Sequence, residues 1–443
     1  MLKVIKNSIL KNIVTLISGN VVGYIINFIT LPIISRVYSK SELGGYDLII
    51  SSASVFITLF MLALTMVIMI PEDDYEANGI CKIILLSNIL GIIITATFLL
   101  LIKDYFLLFR INFPYYKALM LFFIYIFTFN IQTIYYSYLN RKGFYRLMFW
   151  HPIIVAMFNS LISIILGIIK WGTVGYLLGT ISGNVIVTIV MSLFVNPFKY
   201  KHNLEVLIDY LKKYIKYPLI QLPANFVEYF ALQLPIQFFG REYGVEMLGG
   251  YTMACKLLSM PVSFIGVPVN HVYYKELVEK RKKNEQSDKF VTDIIKTNFI
   301  FIMIPISILM IWGTQIVGVF LGKEWVESGI YISIIGFAYV IKFCTQCVSG
   351  TFIATNKINI SMMYALGTLA QYALFFSISH FFKWNYSVVM IGHTINTFLN
   401  GLICLELTNM SVGGKLFRTT KIVLWYSLLS ALIIYGLMSF CMF

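Results

Sequence analysis

The sequence predicts an all-α polytopic membrane protein built from two six-helix bundles. Three observations lead to this prediction. First, 59% of the 443 residues are hydrophobic and only 12% are charged, whereas soluble domains carry about 25% charged residues. Second, apolar runs of about 20 residues, the length that a helix needs to cross a bilayer, recur between short polar segments. Third, one pattern occurs twice, at a spacing close to half the chain.

The repeated pattern reads R-x-Y-x-x-x-x-L-G-G-Y. It runs from Arg36 to Tyr46 and again from Arg241 to Tyr251, so each position of the second copy lies 205 residues after its counterpart. Such a repeat predicts two similar bundles. An even number of spans separates the copies, so the halves are parallel repeats related by a pseudo-twofold axis along the membrane normal. The double glycines predict a tight turn and a close approach of helices.

Thirteen apolar runs are predicted to be helices. They lie at 12–35, 44–70, 80–102, 117–138, 147–169, 173–195, 217–239, 247–272, 291–312, 329–354, 359–382, 386–408 and 420–441. The predicted domains are an N-terminal bundle at 1–196, a linker at 197–217, a C-terminal bundle at 218–410 and an extra C-terminal helix at 411–443.

The linker carries apolar residues on one helical face and lysines elsewhere, which is typical of a helix that lies on the inner membrane surface. The charged segment at 275–289 is predicted to be a solvated loop. With the N-terminus in the cytoplasm, inner loops hold twenty-two lysines and arginines and outer loops hold nine. This asymmetry predicts the orientation. It also explains the net charge of +14 through cytoplasmic loops and anionic lipid, rather than through nucleic acid.

Three ionisable residues fall near the middle of predicted spans, namely Glu228, Lys256 and Lys342. A charge at this depth costs roughly 2.5–3.5 kcal/mol on insertion scales, so it needs a partner or water. One interpretation is a buried Glu228–lysine pair that fixes helix packing. The preferred interpretation is a water-filled cavity with a net charge of +1, suited to an anionic substrate. At comparable depth the first half offers neutral groups, of which Asn20 and Asn27 are candidate substrate ligands.

Arg36 and Arg241 are predicted near the outer ends of helices, where they either guide anions or anchor the interface and cap turns. Proline kinks a helix and frees a carbonyl, so proline-rich spans are candidate hinges. The candidate hinge residues are Pro32, Pro218, Pro223, Pro235, Pro261 and Pro268. The pair Cys344-x-x-Cys347 lacks a second cysteine pair or a histidine cluster, so no metal and no cofactor are predicted.

Several stretches resemble a known family. They are Ser18-Gly19-Asn20-Val-Val-Gly23, the segment from Leu31 to Tyr46, the segment Leu321-Gly322-Lys323-Glu324-Trp325, and Ala354-Thr-Asn-Lys357. These are turn and packing motifs, and they resemble those of the Wzx-type polysaccharide flippases in the multidrug/oligosaccharidyl-lipid/polysaccharide (MOP) exporter superfamily. The resemblance covers essentially the whole chain.

The resemblance implies translocation of undecaprenyl-diphosphate-linked repeat units across a bacterial inner membrane, for O-antigen, lipopolysaccharide or capsule synthesis. In that family, cationic residues of the cavity are expected to meet the diphosphate and acidic sugars, and Lys256 and Lys342 suit this role by their depth in the predicted spans. Related exporters carry a coupling carboxylate in the seventh helix, where Glu228 is the candidate, with H⁺ or Na⁺ as the ion. A polysaccharide polymerase and a chain-length regulator are candidate partners.

Two alternatives stay open. A drug/cation antiporter of the same superfamily would need a net acidic cavity. A membrane polysaccharide polymerase or ligase would be an enzyme, but outer loops of at most about 16 residues, the longest near 103–116 and 313–328, leave little room for its chemistry.

Overall fold

Apolar helices make up most of the protein. The computed structural model describes residues 2–101, 115–283 and 285–441, and these residues form sixteen α-helices and no β-strand. Eleven helices in the described part are long and apolar enough to cross a membrane. The prediction of an all-α polytopic membrane protein is therefore confirmed. The helices at the predicted seventh and thirteenth spans are not among these eleven, and most of the predicted outer loop at 103–116 lies outside the described residues.

The chain forms two compact units, Met1–Gly249 and Gly250–Phe443. The first unit holds α1 (Leu2–Val37), α2 (Lys40–Phe60), α3 (Asp74–Leu101), α4 (Tyr115–Arg141), α5 (Tyr145–Ile168), α6 (Gly172–Ser192), α7 (Leu204–Lys213) and α8 (Leu222–Glu242). Here α5 packs on α1 and α6, and α8 packs on α2. Glycines permit this packing, since a Cβ atom at Gly19 of α1 would lie 2.4 Å from the Phe149 carbonyl oxygen of α5.

Helix α9 (Val245–Pro261) begins at the end of the first unit and continues into the second. The second unit then holds α10 (Val267–Lys282), α11 (Asp288–Phe320), α12 (Val326–Val348), α13 (Thr351–Ala354), α14 (Ile358–Phe381), α15 (Tyr386–Ser411) and α16 (Arg418–Cys441). Its core forms where α12 packs on α11 and α15. The domain boundaries predicted from the repeat place α8 with the C-terminal bundle, and they stay a prediction.

Four predicted segments differ from the structure. The outer loop predicted at 313–328 is helical as far as Phe320, where α11 ends. The second span ends at Phe60 instead of 70, because Leu62 and Ala63 adopt positive φ angles of 53° and 54° and a 3₁₀ turn follows at Val67–Met69. The eighth span is interrupted by a π-helical turn at Val262–Gly266. The charged segment predicted to be a loop from 275 is helical as far as Lys282, where α10 ends. Its Leu277 is fully buried, and this single apolar anchor helps to hold the charged helix.

The repeated pattern forms a close contact between its own two copies. A capping box starts α2, in which the Ser39 amide donates to Glu42 Oε2 at 2.8 Å. Gly44 then lies in the first turns of α2, and a Cβ atom there would lie 1.8 Å from the Val245 carbonyl oxygen. At the equivalent Gly249 of α9 a Cβ atom would lie 2.0 Å from the Lys40 carbonyl oxygen. The predicted close approach is present, but the glycines lie inside helices and not in a turn.

A buried carboxylate holds the extra C-terminal helix. Glu406 of α15 is 7% exposed, and its Oε2 atom accepts hydrogen bonds from the Thr419 hydroxyl at 2.6 Å, the Thr420 amide at 3.0 Å and the Thr420 hydroxyl at 2.8 Å. A negative charge at the N-terminus of α16 also interacts favourably with the helix dipole. An ion pair between Arg418 and Asp288, at 2.9 Å, joins the same end to α11.

Replacing Glu406 with alanine is expected to destabilise the second unit by about 2–4 kcal/mol, because buried donors lose their shared acceptor. The measurement is the thermal unfolding midpoint of the purified protein in detergent. The control is Glu205→Ala, since Glu205 lies exposed on α7. Equal melting of the two variants would show that Glu406 does not hold α16.

Candidate functional site

The centre of the candidate site is Lys342, in the C-terminal half of α12. The residue is half-buried, and its Nζ atom lies 4.6 Å from the centre of the Tyr339 ring. Residues three apart share one face of a helix, so α12 presents the ring and the ammonium group together. A cation over an aromatic face is stabilised without a counter-ion. This contact offsets part of the cost of placing the ammonium group inside the bundle.

Side chains from α9 and α15 complete the surroundings of Lys342. Cys255 of α9 shares side-chain hydrogen bonds with Tyr251 and Tyr339, and it lies within electrostatic range of Lys342. His393 of α15 is 4% exposed and lies close enough to Lys342 for an electrostatic interaction. The centre of its ring is 6.5 Å from that of the Tyr251 ring. This burial shows that His393 is a packed side chain.

The second candidate lysine is next to this cluster in the chain. Lys256 directly follows Cys255 on α9 and is half-buried. Because the side chains of Cys255 and Tyr339 share a hydrogen bond, α9 and α12 are in contact one helical turn away from Lys342. The structure therefore brings the helices that carry Lys256 and Lys342 together in one unit, as an anionic ligand with two charges would require.

Glu228 lies in the first unit, on α8, and is exposed. Within the described ranges, no ion pair of Glu228 is found among the salt bridges. The packing interpretation, a buried Glu228–lysine pair, does not describe this arrangement. The accessible carboxylate remains the candidate for ion coupling.

The other predicted ligands are on exposed helix surfaces. Asn20 and Asn27 are both exposed on α1, and their spacing of two helical turns places them on one face. Arg36 donates from Nη1 to the Pro32 carbonyl oxygen at 2.8 Å, in the last turn of the same helix. This bond fits the turn-capping interpretation of Arg36. Arg241 is exposed in the last turn of α8.

Most predicted hinge prolines mark real distortions. Pro218 lies in a π-helical turn at Tyr217–Gln221, and Pro223 begins α8 directly after it. Pro261 and Pro268 flank the second π-helical turn. Pro32 and Pro235 lie inside α1 and α8. π-Turns inside helices are frequent at functional sites, and a hinge role at these positions stays a prediction.

Sequence reasoning overlooked the neighbours of the lysines. Tyr339 precedes Lys342 by three residues, and Tyr251 is the last residue of the repeated pattern, so spacing and repetition both pointed to them. Cys344 and Cys347 are fully buried in α12. In the residues that the structure describes, no group of three or more histidine, cysteine or acidic residues is arranged to hold a metal.

Comparison with known proteins gives the family and the fold. A family model described as "Polysaccharide biosynthesis protein" matches residues 68–329. A structure of the lipid II flippase MurJ, in an inward closed conformation, is similar with a TM-score of 0.71 and 16% identity, over 96% of this chain and 92% of that one. An inward-facing multidrug resistance MATE transporter of the MOP superfamily is similar with a TM-score of 0.58 and 15% identity, over 90% and 94% of the two chains.

A third structure, of a MATE mutant, has a TM-score of 0.52 and 19% identity, and it covers 91% of this chain and 96% of that one. No curated protein matches the sequence. At these identities the solved structures show the fold alone, and this chain shares that fold with the MurJ and MATE structures. The resemblance stated from the sequence motifs is confirmed.

Proposed function

Because this chain belongs to a family of polysaccharide biosynthesis proteins, we propose that it is a flippase for undecaprenyl-diphosphate-linked oligosaccharide repeat units in a bacterial inner membrane. The observation that carries the proposal is the half-buried Lys342 on α12, beside α9 and its Lys256. A flippase must hold a doubly charged diphosphate within the bilayer, where each unpaired charge is costly. Two ammonium groups on adjoining helices meet that requirement.

The proposed cycle is alternating access. The diphosphate binds at Lys256 and Lys342, while the polyprenyl tail stays in the lipid. Helices bend at the π-turns beside Pro218 and Pro261 as the site changes the side that it faces. Asn20 and Asn27 are assigned to sugar hydroxyls, and Arg36 and Arg241 to the exit route. Glu228 is assigned to coupling with H⁺ or Na⁺. The N-terminus is assigned to the cytoplasm, and a polymerase with its chain-length regulator would use the product.

Deletion of the gene is expected to make single lipid-linked repeat units accumulate in the inner leaflet. The measurement is the accessibility of the sugar to a membrane-impermeant periodate reagent, in intact spheroplasts and after permeabilisation. Sugar that reacts only after permeabilisation supports a flippase. Sugar that reacts in intact spheroplasts would mean that translocation still occurs and that the missing step is polymerisation or ligation.

A drug/cation antiporter is the second candidate, since two of the similar structures are MATE transporters. Such a protein would bind organic cations, and a site with two lysines repels them. Drug susceptibility of the deletion strain separates the candidates. An increase in sensitivity to cationic drugs, without loss of surface polysaccharide, would favour the antiporter.

A further inference from the structure

A second candidate site lies in the first unit. It is a cavity of about 550 Å³ between the segment that precedes α3 and the segment that follows α7. Glu72 and Asp73 lie on one wall and Lys213 and Lys216 on the other, and Glu76, which also lines the cavity, forms an ion pair with Lys213. Ligand pockets in proteins are commonly of this size. Its two walls of opposite charge call for a ligand that carries both charges.

Arg141 of α4 fixes the backbone of the negatively charged wall. The guanidinium donates to the Pro71 carbonyl oxygen at 2.5 Å and to the Glu72 carbonyl oxygen at 3.1 Å. These bonds use only backbone atoms of the segment, so the exposed Glu72 carboxylate remains available. One of the two carboxylate oxygens of Asp73 accepts a hydrogen bond from the Tyr75 amide at 3.1 Å. The wall can therefore accept hydrogen bonds from an ammonium group.

The positive wall is positioned by Glu76 of α3. Its Oε1 atom accepts from Lys213 Nζ at 2.5 Å and from the Tyr214 hydroxyl at 3.0 Å. The hydrogen bond that Lys213 donates to Glu76 raises the pKa of the lysine, which is therefore cationic at neutral pH. Lys216 is exposed, with its Nζ atom 5.5 Å from the centre of the Tyr217 ring. Its ammonium group can donate to a phosphate.

The cavity opens next to apolar surface at the end of a membrane span. Asp74 is the first residue of α3, which is one of the candidate spans. Ile70 lines the cavity and is 48% exposed. Leu219 and Ile220, just beyond Tyr217, are each 66% exposed. Exposed apolar side chains beside a charged cavity are suited to a molecule with a charged head and an apolar tail.

We propose that this cavity binds a phosphoethanolamine group, with the ammonium on Glu72 and Asp73 and the phosphate on Lys213 and Lys216. The apolar border makes the headgroup of a phosphatidylethanolamine lipid the natural source. A free phosphoethanolamine metabolite presents the same chemistry without the tail. Phosphatidylglycerol lacks the ammonium, and the choline headgroup has no N–H to donate to a carboxylate. The site is independent of the proposed transport function.

The test is native mass spectrometry of the full chain in detergent, titrated with phosphatidylethanolamine, phosphatidylglycerol or phosphatidylcholine. We expect phosphatidylethanolamine to bind at least about tenfold more tightly than the other two lipids, since loss of a charge-assisted hydrogen bond has an effect of about this size. Glu72→Gln and Lys216→Gln should each lower that affinity about tenfold. The matched controls on α7, Glu205→Gln and Lys212→Gln, do not line the cavity and should leave it unchanged.

Soluble O-phosphoethanolamine distinguishes the two sources. If it displaces the bound lipid at low millimolar concentration, the headgroup alone is recognised and the free compound is an occupant. If it does not, the lipid is the ligand. Equal affinity for the three lipids would overturn the proposal. The proposal would also be overturned if the Glu72→Gln and Lys216→Gln variants bound phosphatidylethanolamine with the same affinity as their controls while their thermal unfolding midpoints were unchanged.

Discussion

Gly249→Ala is expected to destabilise the protein by about 3 kcal/mol, at the upper end of the cost of overpacking. The added Cβ atom would lie 2.0 Å from the Lys40 carbonyl oxygen, and this is a backbone atom that cannot rotate away. Gly44→Ala should have a similar effect, through the Val245 carbonyl oxygen at 1.8 Å. The measurement is the thermal unfolding midpoint and the yield of folded protein in detergent.

The control for both variants is Gly367→Ala on α14, where a new Cβ atom would meet nothing within 4 Å. Alanine gains about 1 kcal/mol over glycine in a helix, so the control should be neutral or stabilising. The two destabilising variants act on one contact, so their double variant should cost less than the two effects added together. A Gly249→Ala variant with the same thermal unfolding midpoint as the wild-type protein would contradict the close contact.

Lys256→Ala combined with Lys342→Ala is expected to reduce polysaccharide export about a hundredfold. Each ammonium group is assigned a charge-assisted bond to the diphosphate, so each single variant should reduce transport about tenfold and the pair about a hundredfold. The measurement is surface polysaccharide in a complemented deletion strain, at matched amounts of protein. Arginine at both positions should restore part of the activity, because it keeps the charge.

The matched control for the lysine variants is Lys296→Ala on α11. Lys296 also lies over a tyrosine ring, with Nζ 5.7 Å from the centre of Tyr426, but it is exposed and belongs to neither α9 nor α12. Loss of export in this variant as well would point to general damage to the bundle. Full export in the double variant, with wild-type amounts of protein, would rule out the proposed diphosphate site.

The all-helical membrane class could be predicted because long apolar runs are a strong signal that needs no tertiary information. The early end of α2 could not, since Leu62 and Ala63 take positive φ angles without a glycine or proline to indicate it. The helical conformation of residues 275–282 was also missed. The charged composition of this segment predicts exposure to solvent, whereas the burial of Leu277 shows that the segment packs against the rest of the protein.

The candidate site was predictable in part. Lys256 and Lys342 stand out because a charge in an apolar run is rare. Their setting depends on Tyr339, Cys255 and His393, which three different helices contribute, and such a meeting cannot be read along one chain. Glu406 was overlooked because it lies near the end of its predicted span, where a carboxylate carries no signal. Its role follows only from the position of Thr419 and Thr420 on the next helix.

The π-helical turn at Val262–Gly266 sets the phase of everything that follows it on α10. A π-turn holds one more residue than an α-turn, so deleting one residue there would rotate the downstream helix by about 100°. Tyr273, whose hydroxyl lies 2.7 Å from that of Thr351, would swing out of register, and Leu277 would leave the core. The extra residue of the π-turn therefore sets the rotation of α10 about its own axis. Adding or deleting a residue at this point changes which face of α10 is buried.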